Sequence, residues 1–177
     1  MIFQNLKINN TKLKNRIVVS PMCQYSSRNG SPSKWHYQHL EHLSSTGASM
    51  ILLESTAVDK RGKISDSDMC LYNNTHEKNL KKLIKFLRSK NDIKYGIQIS
   101  HSGRKGSSYE PWIKHNSPLP KKRSWKTLSA SAISRDKGWP KPSVMTKLQI
   151  KKMIQKFKNT AIRARRANFD CLEIHMA

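Results

Sequence analysis

Carboxylates are scarce in this chain. Eleven Asp and Glu stand against 34 Lys and Arg in 177 residues, a formal charge of +23. A field of that sign attracts nucleic acid, anionic membrane surfaces and phosphorylated ligands. Yet the basic residues are scattered (Lys81-Lys82, Lys121-Lys122-Arg123, Lys151-Lys152, Arg163 to Arg166) and build no solid basic arm. Lysine-rich solvated faces are the expected reading, with no specific nucleic-acid partner. Cysteine is also rare. Cys23, Cys70 and Cys171 are odd in number, widely spaced and free of any C-x-x-C pair, which argues against a disulfide framework and a thiolate zinc site. No apolar run approaches the roughly 20 residues of a membrane span. The first fifteen residues lack a basic-then-apolar signal pattern, so a cytoplasmic location is expected. The apolar share, 36%, is lean, and the length suits one domain over 1–177.

Four short apolar runs punctuate the chain: 17–19, 49–55, 95–100 and 169–175. Each is apolar on both parities, the pattern of a parallel strand buried on both faces. Between them lie helical patterns. The stretch 34–47 sets Trp35, His39 and His42 on one side with Leu40 and Leu43 close by, and Gly47 is the expected stop. The stretch 75–90 repeats Leu80, Leu83, Ile84 and Leu87 at three- and four-residue spacing with lysines opposite, and Thr75 is the expected cap. Over 146–168 the apolar positions are Ile150, Met153, Ile154, Phe157, Ala161 and Ala164, with Thr146 as cap and Asn168 as a left-handed stop. Strands alternating with helices predict βαβ units and a parallel sheet. Residues 101–145, rich in Ser, Pro, Trp and Lys, predict a long loop of functional or disordered character.

In parallel α/β folds, ligands gather where strands end. The first run ends in Ser20-Pro21-Met22-Cys23, then Tyr25; the second in Glu54-Ser55-Thr56-Ala57; the third in Gln98 and His101 to Lys105; the fourth carries Glu173 and His175. All four ends place polar or titratable groups on one rim. His36, His39 and His42 share a helix at three-residue spacing, but the turn over six residues rotates the last from the first and no thiolate completes a set, so no metal is expected. "HSGRKGSS" lacks the G-x-x-x-x-G-K spacing of a phosphate loop.

"NRIVVSPMCQYS", "ESTAV" (54–58), "GIQISHSGRK" (96–105) and "ANFDCLEIH" (167–175), with "WHYQHL" in the first helix and Pro142 to Thr146 before the third, resemble the Old Yellow Enzyme family in that family's order. The closest likeness is to the branch with a cysteine after the first strand. The resemblance implies a (β/α)₈ TIM barrel with FMN across its carboxyl-terminal mouth. NAD(P)H would reduce the flavin, and the flavin would pass hydride to an activated alkene such as an enone. By position it implies flavin contacts at Ser20, Pro21, Met22, Cys23, Ala57 and Gln98, where proline's missing donor suits a chain passing a ring and a carboxamide suits the pyrimidine edge. It implies that Tyr25 hydrogen-bonds substrate and that His175 polarises the substrate carbonyl.

Each residue also has a plainer reading. Cys23 alone is a small buried hydrophobe, Tyr25 a loop tyrosine, Gln98 the close of a strand and His175 a satisfied core histidine. His101 and Arg104 are expected to brace a loop; Cys70 and Cys171, to pack. Only about four βα units are present, so the expectation is the amino-terminal half of a barrel, truncated after the fourth strand. The second carbonyl-polarising residue, the proton-donating tyrosine and the phosphate site would lie beyond Ala177. Such a half is expected to leave strand edges unpaired and to hold FMN weakly or not at all. Its partner would be the missing half or another copy in a homo-oligomer. Two alternatives stand beside the flavoenzyme: an inactive remnant and a basic polyanion-binding protein.

Overall fold

A computed structural model describes residues 1–176. Its elements, in chain order, are β1 (Leu6–Ile8), β2 (Thr11–Leu13), β3 (Val18–Val19), α1 (Lys34–Ser44), β4 (Met50–Ala57), α2 (Asn74–Arg88), β5 (Lys94–Ser100), β6 (Leu128–Ser129), β7 (Ser143–Val144), α3 (Lys147–Arg166) and β8 (Cys171–Ile174). Single 3₁₀ turns follow β4 at Lys60–Gly62 and β5 at Gly103–Lys105. The four apolar runs become β3, β4, β5 and β8, which form one parallel sheet in that order. Val18 on β3 and Ile174 on β8, the two edge strands, are 40% and 50% exposed.

α2 shows how the layer over this sheet is held. Its stripe of Leu80, Leu83, Ile84 and Leu87 is fully buried in one core with Ile51, Leu53, Tyr95 and Ile97. Burying each such side chain contributes about 1.5–3 kcal/mol. Lys78, Lys81, Lys82 and Lys85 lie on the exposed side. Asn73, not Thr75, caps the helix, its side chain accepting from the His76 N–H at 2.8 Å; Asn is the stronger cap of the two. α3 begins as the sequence predicts. Thr146 accepts from the Gln149 N–H, the Gln149 side chain accepts from the Thr146 N–H, and Asn168 turns left-handed at φ 72°. Its buried stripe is Met153, Thr160 and Ala164, with Phe157 partly buried. Ile150 and Ile154 lie on the flank of that stripe and are 43% and 65% exposed, against expectation.

α1 differs more. Its buried residues are His36, Leu40 and Ser44, an i, i+4, i+8 row that the sequence reading does not single out. His39 stacks on Trp35 at 5.4 Å and His42 is exposed, so the three imidazoles diverge. Ser45 is the C-cap, its N–H reaching the His42 and Leu43 carbonyls, and Gly47 makes the left-handed turn (φ 92°) two residues later. Residues 101–145 are not disordered: Leu119, Leu128 and Trp139 are buried and β6 pairs with β7. No helix among the described residues is long and apolar enough to cross a membrane.

Candidate active site

Alternation along β5 sends Tyr95 and Ile97 into the helix-covered core, and Gly96, Gln98 and Ser100 to the opposite, inner face. β8 follows in register, with Cys171 beside Gly96 and Glu173 beside Gln98. A Cβ at Gly96 would overlap Leu52 and press Cys171 Cβ at 3.2 Å, so close packing on the inner face requires glycine there. One layer further toward the strand ends, Gln98 Nε2 donates to Glu173 Oε1 at 2.7 Å. Gln98 is 8% exposed.

β4 carries a bulge. Leu53 pairs with Ile97 but Thr56 with Ile99, three residues against two. Strict alternation from Leu52 would aim Glu54 at the inner face. The extra residue turns it toward α1 instead, and brings Ser55 inward to meet Ser100 at 2.5 Å between hydroxyl oxygens. Glu54 Oε1 lies 2.9 Å from His36 Nε2, with the two side chains 3% and 1% exposed. Its Oε2 accepts the Gln24 N–H at 2.8 Å.

That bond anchors the segment after β3. Gln24 donates through its side chain to the Met22 carbonyl at 2.8 Å and accepts from Trp35 Nε1 at 3.1 Å. Tyr25 sits at φ 46°, two residues beyond Cys23 on the same segment. Its ring meets Trp112 edge-on at 5.7 Å. Burial, then the Asp68 and Glu54 carboxylates, push the Cys23 thiol up to about 11; Lys105 works the other way. The Tyr25 phenol is raised by burial first and by Cys23 next. Both hold their protons at neutral pH, so Tyr25 is a hydrogen-bond donor and Cys23 a thiol rather than a thiolate. Beyond Tyr25 a cleft of about 390 Å³ is lined by Lys105, Tyr109, His115 and Arg135.

The other strand ends lie on the same edge of the sheet because every pairing is parallel. Ser20 and Met22 are exposed and Pro21 half-buried. Ala57 is buried, its N–H on the Met69 carbonyl and its own carbonyl accepting from Leu71. The His175 N–H donates to the Ile99 carbonyl at 3.0 Å, and His175 is exposed. The structure therefore sets Cys23 and Tyr25 together on the lip, and joins Gln98 to Glu173 by a hydrogen bond. Among the described residues no hydrogen bond joins the first pair to Gln98 or His175; they share an edge, not a bond. His101 Nδ1 accepts the Gly103 N–H at 3.1 Å and Arg104 donates to Ser131 Oγ at 3.0 Å, so both hold the loop after β5. Among the described residues no three His, Cys, Asp or Glu gather as metal ligands. Cys70 is fully buried, Cys171 partly, and all three cysteines are free.

Sequence reasoning missed three groups: the His36–Glu54 pair, Glu173 as the partner of Gln98, and Lys105 beside the lip. The first had a signal. Glu54 is the one carboxylate inside "MILLEST", and a charge in a buried strand needs a partner.

The model of the NADH:flavin oxidoreductase / NADH oxidase family matches residues 1–177. The chain belongs to that family. A curated NADPH dehydrogenase of Listeria welshimeri is 38% identical over 178 residues, covering 99% of this chain and 48% of the relative. An NADH:flavin oxidoreductase of Gibberella zeae is 35% identical over 180 residues, covering 99% and 43%. The chain thus spans about half the length of the curated relatives it matches. Morphinone reductase superposes with a TM-score of 0.82 at 17% identity, over 99% of this chain and 48% of its own. An Old Yellow Enzyme from Pichia gives 0.82 at 18%, over 98% and 45%. At that identity the likeness shows the fold: β3, β4, β5 and β8 with their helices are the amino-terminal half of a TIM barrel, and the inner face of the sheet is the barrel interior. FMN is the family's redox group, with NADH or NADPH as reductant. The residues present fit a flat ring with a polar edge: a segment carrying an N–H-free proline, a small buried Ala57, and a carboxamide whose Nε2 is already oriented by Glu173 while nothing among the described residues donates to its Oε1.

Proposed function

We propose that this chain supplies the flavin-facing half of an NAD(P)H-dependent oxidoreductase that reduces activated alkenes of the enone type. The observation that carries the reading is the gathering of Cys23, Tyr25 and the hydrogen-bonded pair Gln98–Glu173 at one edge of a parallel sheet, in a chain of the NADH:flavin oxidoreductase family. Bound FMN would supply hydride transfer, taking it from NAD(P)H and giving it to the alkene.

The chain's own residues do the rest. Ser20, Pro21 and Met22 offer backbone rather than bulk, and proline leaves no orphan N–H against a ring. Ala57 leaves room for one. Glu173 fixes the Gln98 carboxamide, so its remaining acceptor and second N–H point in a set direction before any ligand arrives. Cys23 offers an uncharged, polarisable sulfur. Tyr25 offers a protonated phenol as donor to a substrate oxygen. His175, exposed at the end of β8, donates to the same oxygen as negative charge develops there. Residues 1–177 act as one partial barrel domain, in the cytoplasm.

The test is activity in a completed barrel. The chain is co-expressed with the carboxyl-terminal half of the Listeria welshimeri relative, and NADPH oxidation is followed with and without a cyclic enone. A yellow complex whose NADPH oxidation needs the enone, and which slows at least about tenfold in Tyr25→Phe or His175→Ala, supports the reading. A flavin-bearing complex indifferent to enone, or to both substitutions, contradicts it.

A further inference from the structure

The His36–Glu54 pair is buried beside the lip, and nothing in the proposed chemistry uses it. Its hydrogen bonds settle its protonation. The Ser33 N–H donates to His36 Nδ1 at 3.0 Å, so that nitrogen is an acceptor and the imidazole is neutral with its proton on Nε2. Nε2–H therefore donates to Glu54 Oε1 at 2.9 Å. Glu54 Oε2 accepts the Gln24 N–H at 2.8 Å. Both oxygens accept, the arrangement of an ionised carboxylate, and its ring partner carries no charge. One imidazole thus does two jobs: Nδ1 closes the capping box of α1, and Nε2 aims Glu54 at the strand-end segment.

We propose that Glu54, oriented by His36, is the positioning residue of the Met22–Tyr25 lip, pinning the Gln24 N–H and with it the left-handed turn at Tyr25. A backbone N–H held at 2.8 Å by a buried carboxylate leaves the segment little freedom. Tyr25, at φ 46°, adopts a conformation a non-glycine residue keeps only when its surroundings impose it. The β4 bulge is what makes this reach possible, because without it the carboxylate would enter the barrel. Its charge also faces the thiol. The groups around Cys23 are Tyr25, Asp68, Glu54 and Lys105, and of these Glu54 alone also holds the segment's backbone. The consequence for a flavin rests on the proposed function; the pinning rests on geometry alone.

Thiol labelling tests it without any flavin. The 177-residue chain is pulsed with iodoacetamide at pH 8.5 and each cysteine peptide is quantified by mass spectrometry. Wild-type Cys23 labels slowly and Cys70 not at all. Glu54→Gln is expected to speed Cys23 labelling by ~3- to 10-fold, since freeing the Gln24 N–H exposes the thiol and removing the carboxylate favours its thiolate, one unit of pKa being worth about tenfold, while Cys70 stays protected. Two substitutions separate the jobs of His36. His36→Gln keeps a donor for Glu54 and labels at the wild-type rate; His36→Asn keeps the cap and the Glu54 charge but loses the donor, and labels faster than wild type through the freed segment alone. Unchanged Cys23 labelling in Glu54→Gln overturns the proposal. So does the reverse ranking of the His36 variants, which makes His36 a cap only, or labelling of Cys70 in step with Cys23 in both Glu54→Gln and His36→Gln, which makes the pair a prop of the whole fold. A completed barrel that takes up FMN but ignores the enone leaves every one of these results intact and counts only against the flavin reading.

Discussion

Toward its helices the four-stranded sheet presents Ile51, Leu53, Tyr95 and Ile97, none more than 1% exposed. Its other face presents Ser55 bonded to Ser100 and Gln98 bonded to Glu173. The same strands supply both. One face is closed by area removed from water, which is non-directional and tolerant of detail. The other is organised by hydrogen bonds between neighbouring strands, which fix direction but add little net stability. A molecule built this way separates what holds it together from what it offers a ligand.

The sharpest break of that contrast is Leu83→Ala. Leu83 is fully buried in the helix layer, and the change should cost about 2–5 kcal/mol in a urea melt. Asp68 comes next. Its carboxylate accepts from the Ile64 and Ser65 N–H groups and the Ser65 hydroxyl, yet burial raises it from 3.8 to about 6. Between those values the fold holds a proton that the unfolded chain has lost. Stability should therefore fall as pH rises from 4 through 6, by up to about 3 kcal/mol. Melts of Asp68→Asn across the same window should be flatter. A wild-type profile that instead rises over this range contradicts the assignment. Gln98→Ala should be the mildest, within about 1.5 kcal/mol of wild type, because the inner face contributes direction rather than area. A loss as large as that of Leu83→Ala would erase the distinction between the faces.

Much of the helix-side layer was legible. Three- and four-residue spacing marks α2 and α3, and short two-parity apolar runs mark β3, β4, β5 and β8. The hairpin β1–β2 and the pair β6–β7 were not, since strands of two or three residues carry no period. The inward row of α1 is not legible because it mixes an imidazole and a hydroxyl with one leucine, and polarity hides a buried face when its partner is a carboxylate on another element. The sequence places Glu54 on the rim because it stands where an apolar run ends; a one-residue bulge, invisible in sequence, turns it toward α1 instead. Ile150 and Ile154 fall in the apolar spacing of α3, whereas the helix buries only the narrower stripe through Met153, Thr160 and Ala164. At the candidate site the residue types and the shared rim were readable, but the bonds that orient them were not.

Backbone amide shifts of the ¹⁵N-labelled chain titrated with FMN test the central claim most directly, since fast exchange reports even weak contact. The account predicts perturbations gathered at Ser20, Met22, Cys23, Ala57, Gln98 and His175 and unchanged by moderate salt. Shifts confined to the lysine-bearing sides of α2 and α3, and lost as salt is added, would contradict it.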